Sequence, residues 1–175
     1  GHGINWPNVT SQDVPQGTRH IHDLWASLEN TEKHITLATN TTVWEVQDVI
    51  ELAAAAAGGP EELRRRPPIS SIHTSSSPLA IEGEGLEAGF VAADAGLPIC
   101  FYVMPGPGST GPATLAGSVA LAVAEALAGN AIFQLNGPGT PYVFSAGIAP
   151  LDMRTSTRAG GSPEHGLTSA AFSQM

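Results

Sequence analysis

Basic residues are scarce: seven lysines and arginines stand against sixteen acids, for a net charge of −9. A surface of that sign repels a phosphate backbone, so no nucleic-acid partner is expected. The one local cluster of positive charge, Arg64-Arg65-Arg66, directly precedes Pro67-Pro68 and reads as the end of a short helix. Cysteine is nearly absent. A single Cys100 excludes an internal disulfide and suits a reducing compartment, and its mid-strand place reads as small core filling. The six histidines show no pair at metal-ligand spacing, so no metal site is expected, and His20 and His22 read as surface residues of a polar helix. The Ala-rich run from Leu52 to Ala57 is too short, and too closely flanked by acids, to span a bilayer. No signal-peptide pattern is found, and the expected location is cytoplasmic, away from membranes.

What is plentiful is alanine and glycine within a chain that is 42% apolar and only 13% charged, a composition for close helix-on-sheet packing in one folded domain spanning residues 1–175. Segments of two periodicities alternate. A short apolar piece at Ile4–Val9 is followed by helical spacing at Ile21, Leu24, Trp25 and Leu28. His34–Thr39 reads as a buried strand. Thr42 then caps a helix over Val43–Ala57 that stops at Gly58-Gly59, and Pro60–Arg66 makes a short helix. Ile69–Thr74 is the next strand, followed by a Ser-rich loop and a helix over Leu86–Ala95. Pro98–Met104 is a strand, Pro112–Asn136 a long helix, and Tyr142–Ser145 a strand; a polar loop over Gly147–Ser162 leads to a helix opened by Pro163. Strands joined by helical crossovers run parallel, so the expectation is an α/β fold of about four to five βα units with its chemistry on the loops after the strands.

Candidate site residues follow from that placement. Gly83-Glu84-Gly85-Leu86-Glu87-Ala88-Gly89 has the wrong spacing for a dinucleotide fingerprint and reads as a loop and helix start. In the loop Gly106–Gly111 no lysine completes a P-loop, yet the amides of Gly108, Ser109, Thr110 and Gly111 are read as preceding a helix N-terminus. They can hold an anion or the polar edge of a ligand, or simply form a tight turn. His73 ends a strand, where side chains face a barrel-type site; a hydrogen-bonded structural histidine is the alternative. Glu164 follows Ser162-Pro163, where a carboxylate either serves chemistry or complements the helix dipole. Asp152 stands close to Arg154, as a site residue or half of a surface ion pair.

At this point the chain resembles a family. The order Asn30-Thr31-Glu32-Lys33-His34, Pro67 to Ser77-Pro78-Leu79, and Gly96-Leu97-Pro98 is similar to the corrinoid-dependent trimethylamine methyltransferase family. So are Thr110-Gly111-Pro112 with Leu115-Ala116-Gly117, Ala124-Glu125 with Leu127-Ala128-Gly129, and Gln134 with Pro138-Gly139. Asp152-Met153-Arg154 and Gly161-Ser162-Pro163-Glu164 complete a run that begins near Thr10. The family also holds relatives without pyrrolysine that demethylate glycine betaine and other quaternary amines, and its pyrrolysine position falls beyond Met175. The resemblance implies a TIM (β/α)8 barrel.

It further implies a methyltransferase that moves a methyl group from a tertiary or quaternary methylamine, such as trimethylamine or glycine betaine, to a Co(I) corrinoid. That cobalamin-type cofactor is carried by a separate protein, and none is expected to be tightly bound here. An unactivated neutral amine would have to leave as an amide anion, a poor leaving group, so the nitrogen must be quaternary, protonated or otherwise activated, and an acidic or aromatic lining suits it. Under this reading Glu164 is the catalytic candidate, and Asn40, His73, Thr74, Tyr102, Met104, Ser145 and Asp152 are substrate candidates. Tyr102 points inward if it shares a face with Cys100 and Met104. The competing readings are a small open α/β ligand-binding domain, flavodoxin-like, without catalysis, and a structural remnant. About half of a barrel is expected to be a fragment of a longer polypeptide, or to close its exposed edges as a homo-oligomer, and to be inactive alone.

Overall fold

Parallel neighbours cannot be joined by a tight turn, so each strand here hands over to a helix before the next strand begins. The computed structural model describes residues 5–7, 10–37 and 42–175. In order the elements are β1 (Asn5–Pro7), α1 (Arg19–Asn30), β2 (His34–Leu37), α2 (Val43–Ala57), α3 (Pro60–Arg65) and β3 (Ile69–Thr74). They continue with α4 (Gly83–Asp94), β4 (Ile99–Val103), α5 (Leu115–Asn136), β5 (Tyr142–Ala146), β6 (Leu151–Asp152), β7 (Thr157–Arg158) and α6 (Pro163–Phe172). The fold is α/β with a parallel sheet. Its order is β1-β2-β3-β4-β5, without the reversal of a flavodoxin-like doubly wound sheet. Asn5 pairs with His34, and Ile35 with Ile69. The ladder continues as Ser71 N–H donates to the Pro98 carbonyl at 3.0 Å and Ile99 N–H to the Pro141 carbonyl at 2.8 Å.

Several boundaries differ from the sequence reading, each for a local reason. The last residues of the expected strand His34–Thr39, and part of Ile4–Val9, lie outside the described residues. Helix α5 begins at Leu115 rather than Pro112, because Thr114 takes the capping place: its Oγ1 accepts from Gly117 N–H at 3.2 Å. Helix α4 begins at Gly83, so the glycine-rich Gly83–Gly89 segment is helical throughout. The expected polar loop Gly147–Ser162 carries a two-stranded antiparallel ladder, Leu151 opposite Arg158 and Asp152 opposite Thr157. Capping at Thr42 takes the expected place, with Glu45 accepting from its N–H at 3.2 Å and its hydroxyl at 2.9 Å.

Contacts group the chain into two compact units. The first comprises Gly1–His73, Gly83–Cys100 and Phe133–Val143. Here α2 packs against α1, α3 and α4, and Leu24, Ile35, Leu37, Val46, Val49 and Ile69 are buried. His20 corrects the surface expectation. It is buried on the α1 face that also buries Leu24, with Nε2 2.9 Å from Asp48 and its ring edge-on to Trp44. Trp25, read as part of the apolar stripe, is instead exposed.

The second unit comprises Thr74–Glu82, Phe101–Ile132 and Phe144–Met175. Its core includes Phe101, Val103, Ala122, Ala126 and Ile148. Among the described residues α5 alone is long and apolar enough, by length and composition, to cross a membrane.

Gly89 of α4 sits at a close approach within the first unit: a Cβ added there would lie 2.7 Å from Phe133 Cζ and 3.3 Å from His73 Cε1. Gly89→Ala is therefore expected to destabilise the fold by about 1–3 kcal/mol, as overpacking does. Urea unfolding of the two proteins measures the difference.

Candidate functional site

The ends of β4 and β5 place chemistry-bearing side chains together within the second unit. Strand alternation turns Phe101 and Val103 into the core and Tyr102 and Met104 to the opposite face. Cys100 has the same parity as Tyr102 but is buried. Met104 is 36% exposed and Tyr102 half-buried, so this face stays reachable. Beyond β5 the chain passes close under the phenol at Gly147, where an added Cβ would collide with the Tyr102 hydroxyl. Glycine is the residue that permits this approach. Gly147 N–H donates to the Val103 carbonyl at 2.9 Å, which extends the ladder to the site.

Arg158 closes the constellation. Its Nη1 lies 3.1 Å from Met104 Sδ, and its Nη2 donates to the Gly147 carbonyl. The sequence reading missed this residue and chose Asp152 in the same loop. The signal was available as an alternation, Leu151-Asp152 and Thr157-Arg158 about a tight turn, which reads as a hairpin. Asp152 itself is exposed. Its Oδ1 accepts from the Arg154 backbone N–H at 2.8 Å, not from the guanidinium of an ion pair. That amide, then Thr155, hold its carboxyl below the ordinary value. Ser145 is half-buried on β5 with the parity of Gly147.

The other sequence candidates lie on other elements of the fold. Thr74 ends β3 exposed. Asn40 lies outside the described residues. Glu164 is exposed in the first turn of α6, where Ser162 is the cap, accepting from His165 N–H at 3.2 Å. The loop after β4 largely satisfies its own polar groups. Ser109 and Gly111 N–H both donate to the Gly106 carbonyl at 2.9 Å, Gly106 N–H to Thr110 Oγ1 at 2.9 Å, and Gly108 N–H to the Pro112 carbonyl at 3.3 Å. This is a self-closed turn, separated from the α5 N-terminus by Pro112-Ala113-Thr114. Three of the amides read as an anion cradle, those of Gly108, Ser109 and Gly111, are turned onto backbone oxygens of the same turn.

His73 has the parity of Ile69 and Ser71, residues buried on the helix-covered side, and so faces away from the expected site direction. Its Nε2 lies 2.9 Å from Ser71 Oγ, and its ring lies 6.1 Å from that of Phe133. Burial pulls its pKa down to about 4, and a backbone hydrogen bond with Gly85 only partly opposes this. His73 is neutral at neutral pH. Tyr142 lies against the same Phe133 ring, and burial raises its hydroxyl pKa, with Cys100 adding to the shift.

The comparisons with known proteins cover nearly the whole chain. The family model described as trimethylamine methyltransferase (MTTB) matches residues 2–175. A glycine betaine methyltransferase of Desulfitobacterium hafniense (strain Y51) is 35% identical over 164 residues, 94% of this chain and 34% of the relative. A trimethylamine methyltransferase MttB of Desulfitobacterium hafniense (strain DSM 10664 / DCB-2) is 30% identical over 167 residues, 95% of this chain and 34% of the relative. One from Methanosarcina thermophila is 29% identical over 170 residues, 95% of this chain and 35% of the relative. The chain thus spans about a third of the length of the curated relatives it matches.

The His73 geometry carries a signed pH dependence. Its folded pKa, about 4, lies below the ordinary 6.5. The unfolded chain therefore takes up the proton first, and the stability contribution, complete above pH 6.5, is lost as the pH falls toward 4. The loss is of the order of 3 kcal/mol. Denaturant unfolding across that window is expected to show a shallower acid-side fall in His73→Asn than in the parent chain.

Proposed function

The chain belongs to the trimethylamine methyltransferase family, and on that footing we propose that it forms part of an enzyme that takes a methyl group from a tertiary or quaternary methylamine. The observation that carries this reading is the family match over residues 2–175, joined to a reachable face of Tyr102 and Met104 at the ends of parallel strands. The sheet is read as an arc of a (β/α)8 barrel. Two features support that: a strand order that follows the sequence, and half-exposed Val143 and Phe144 on the edge strand β5, suited to cover by further polypeptide. Substrate candidates in the relatives' names, trimethylamine and glycine betaine, share one chemical group, a methylated nitrogen that is positive when quaternary or protonated.

The chain's own residues suit that group. The face of the Tyr102 ring attracts a methylammonium cation by its quadrupole, an effect worth about 0.5–2 kcal/mol. Met104 offers a polarisable thioether, and Arg158, directed at Gly147 and Met104, holds that side chain in place, while its own positive charge opposes a bound cation and calls for a carboxylate nearby. Thr74 and Ser145 supply hydroxyls from β3 and β5, the strands on either side of β4. Glu164 is proposed to balance the charge on nitrogen. The proposed acceptor is a Co(I) corrinoid on a separate carrier protein, which supplies the nucleophile. A partially exposed Met104 is compatible with approach by a group from outside. The chain's part is then to hold the amine with one methyl directed outward.

Expressed at the length of its relatives and mixed with a reduced corrinoid carrier, the polypeptide is expected to change the corrinoid absorption spectrum when trimethylamine or glycine betaine is added. S-adenosylmethionine should make no difference. Failure with every N-methylated amine would overturn the reading. Glu164→Gln is expected to lower kcat by about 100-fold if the carboxylate meets the substrate. Its loss from the helix start alone costs about 0.3–1 kcal/mol of stability. Equal losses of activity and stability would assign Glu164 to the helix dipole alone.

A further inference from the structure

Helix α5 holds a single charged residue in its 22 positions, Glu125, among alanines, leucines and valines. That one charge is not on the solvent side: Glu125 is 2% exposed. Its Oε2 accepts from Ser75 Oγ at 2.7 Å and Ser77 Oγ at 2.8 Å, and its Oε1 from Leu79 N–H at 2.8 Å. Among the described residues no lysine, arginine or histidine pairs with it. Burying a carboxylate without a cation is costly, and an apolar side chain would serve helix packing better. The donors all belong to one short loop, the segment that leaves β3 directly after Thr74. Charge-assisted bonds from two hydroxyls and an amide are the strong kind.

The loop is held from within as well. Ser76 N–H donates to the Ala80 carbonyl at 2.8 Å and Ala80 N–H returns to the Ser76 carbonyl at 3.3 Å, while Ser76 Oγ donates to Glu82 at 3.0 Å. At its tip Leu79 adopts φ +58°, a left-handed conformation uncommon for a side chain of its size. The Leu79 amide is fixed by Glu125, while the Leu79 side chain is 70% exposed. A buried carboxylate thus accepts from the amide of a non-glycine residue held in that conformation beside a strand end.

We propose that Glu125 is a positioning residue: by binding Ser75, Ser77 and the Leu79 amide it fixes the loop after β3, and through it Thr74, in the arrangement methyl transfer requires. The functional half of this proposal rests on the amine methyltransferase reading; the clamp itself does not.

The test uses the polypeptide at the length of its relatives, with its corrinoid carrier, as parent protein, Glu125→Gln and the double variant Ser75→Ala/Ser77→Ala. Hydrogen exchange at the Leu79 amide reads the clamp, and kcat and KM for trimethylamine and glycine betaine read its consequence. Both variants are expected to speed Leu79 exchange and to raise KM for the amine by about tenfold or more, the scale of a lost bond to a charged group. Combining them should add little, since they break one unit. If Glu125→Gln does not fold, Ser77→Ala carries the same comparison. Parent-like KM and kcat in a variant whose Leu79 exchange has risen would overturn the positioning role. Unchanged Leu79 exchange would overturn the clamp. A parent protein that transfers no methyl group overturns the enzymatic reading, while the exchange result still decides the clamp.

Discussion

Side-chain parity along parallel strands is the constraint on which the rest of this molecule depends. Once each strand returns through a helix, one face of the strand is committed to helix packing and the other is left for chemistry. In β4 the division shows at the C-terminal end, past the buried Cys100. Phe101 and Val103 are fully buried, whereas Tyr102 and Met104 remain accessible. In β3 the same rule separates adjacent residues: His73 goes to the helix side, where burial keeps it neutral, and Thr74 stays exposed at the strand end.

Small residues make that division workable. Gly89 lets α4 close onto Phe133 and His73, and Gly147 lets the chain pass under the Tyr102 hydroxyl. The alanines of α5 give a surface close enough that a single carboxylate can reach the loop after β3. A bulkier sequence would push these elements apart and lose the contacts that orient the strand-end residues.

The fold was largely legible because its signals are local and repeated. Strand Ile69–Thr74 and the helices at Val43–Ala57 and Pro60–Arg65 lie where apolar period, caps and Gly/Pro stops put them. Misplaced boundaries came from competition between neighbouring caps, as at Thr114. The site was less legible. The shared face of Tyr102 and Met104 followed from parity, and parity with Ile69 would have turned His73 to the opposite face. Arg158 meets Met104 across 54 residues and Glu125 meets Ser75 across 50, separations that no periodicity encodes. What the sequence did display was a lone charge in an apolar helix, which is a signal in its own right. The self-closure of the Gly106–Gly111 loop was hidden for another reason: glycine-rich amides look alike in sequence whether they bind a ligand or their own carbonyls.

The central claim is that the Tyr102–Met104 face receives a methylated, positively charged nitrogen. The most direct measurement is the calorimetric affinity of the polypeptide, at the length of its relatives, for glycine betaine and trimethylammonium, compared with that of Tyr102→Leu. Removal of the ring's attraction is expected to weaken binding of both by about threefold to thirtyfold, while cooperative unfolding is retained. Equal affinity in a folded Tyr102→Leu protein would contradict the account and move the amine to another part of the fold.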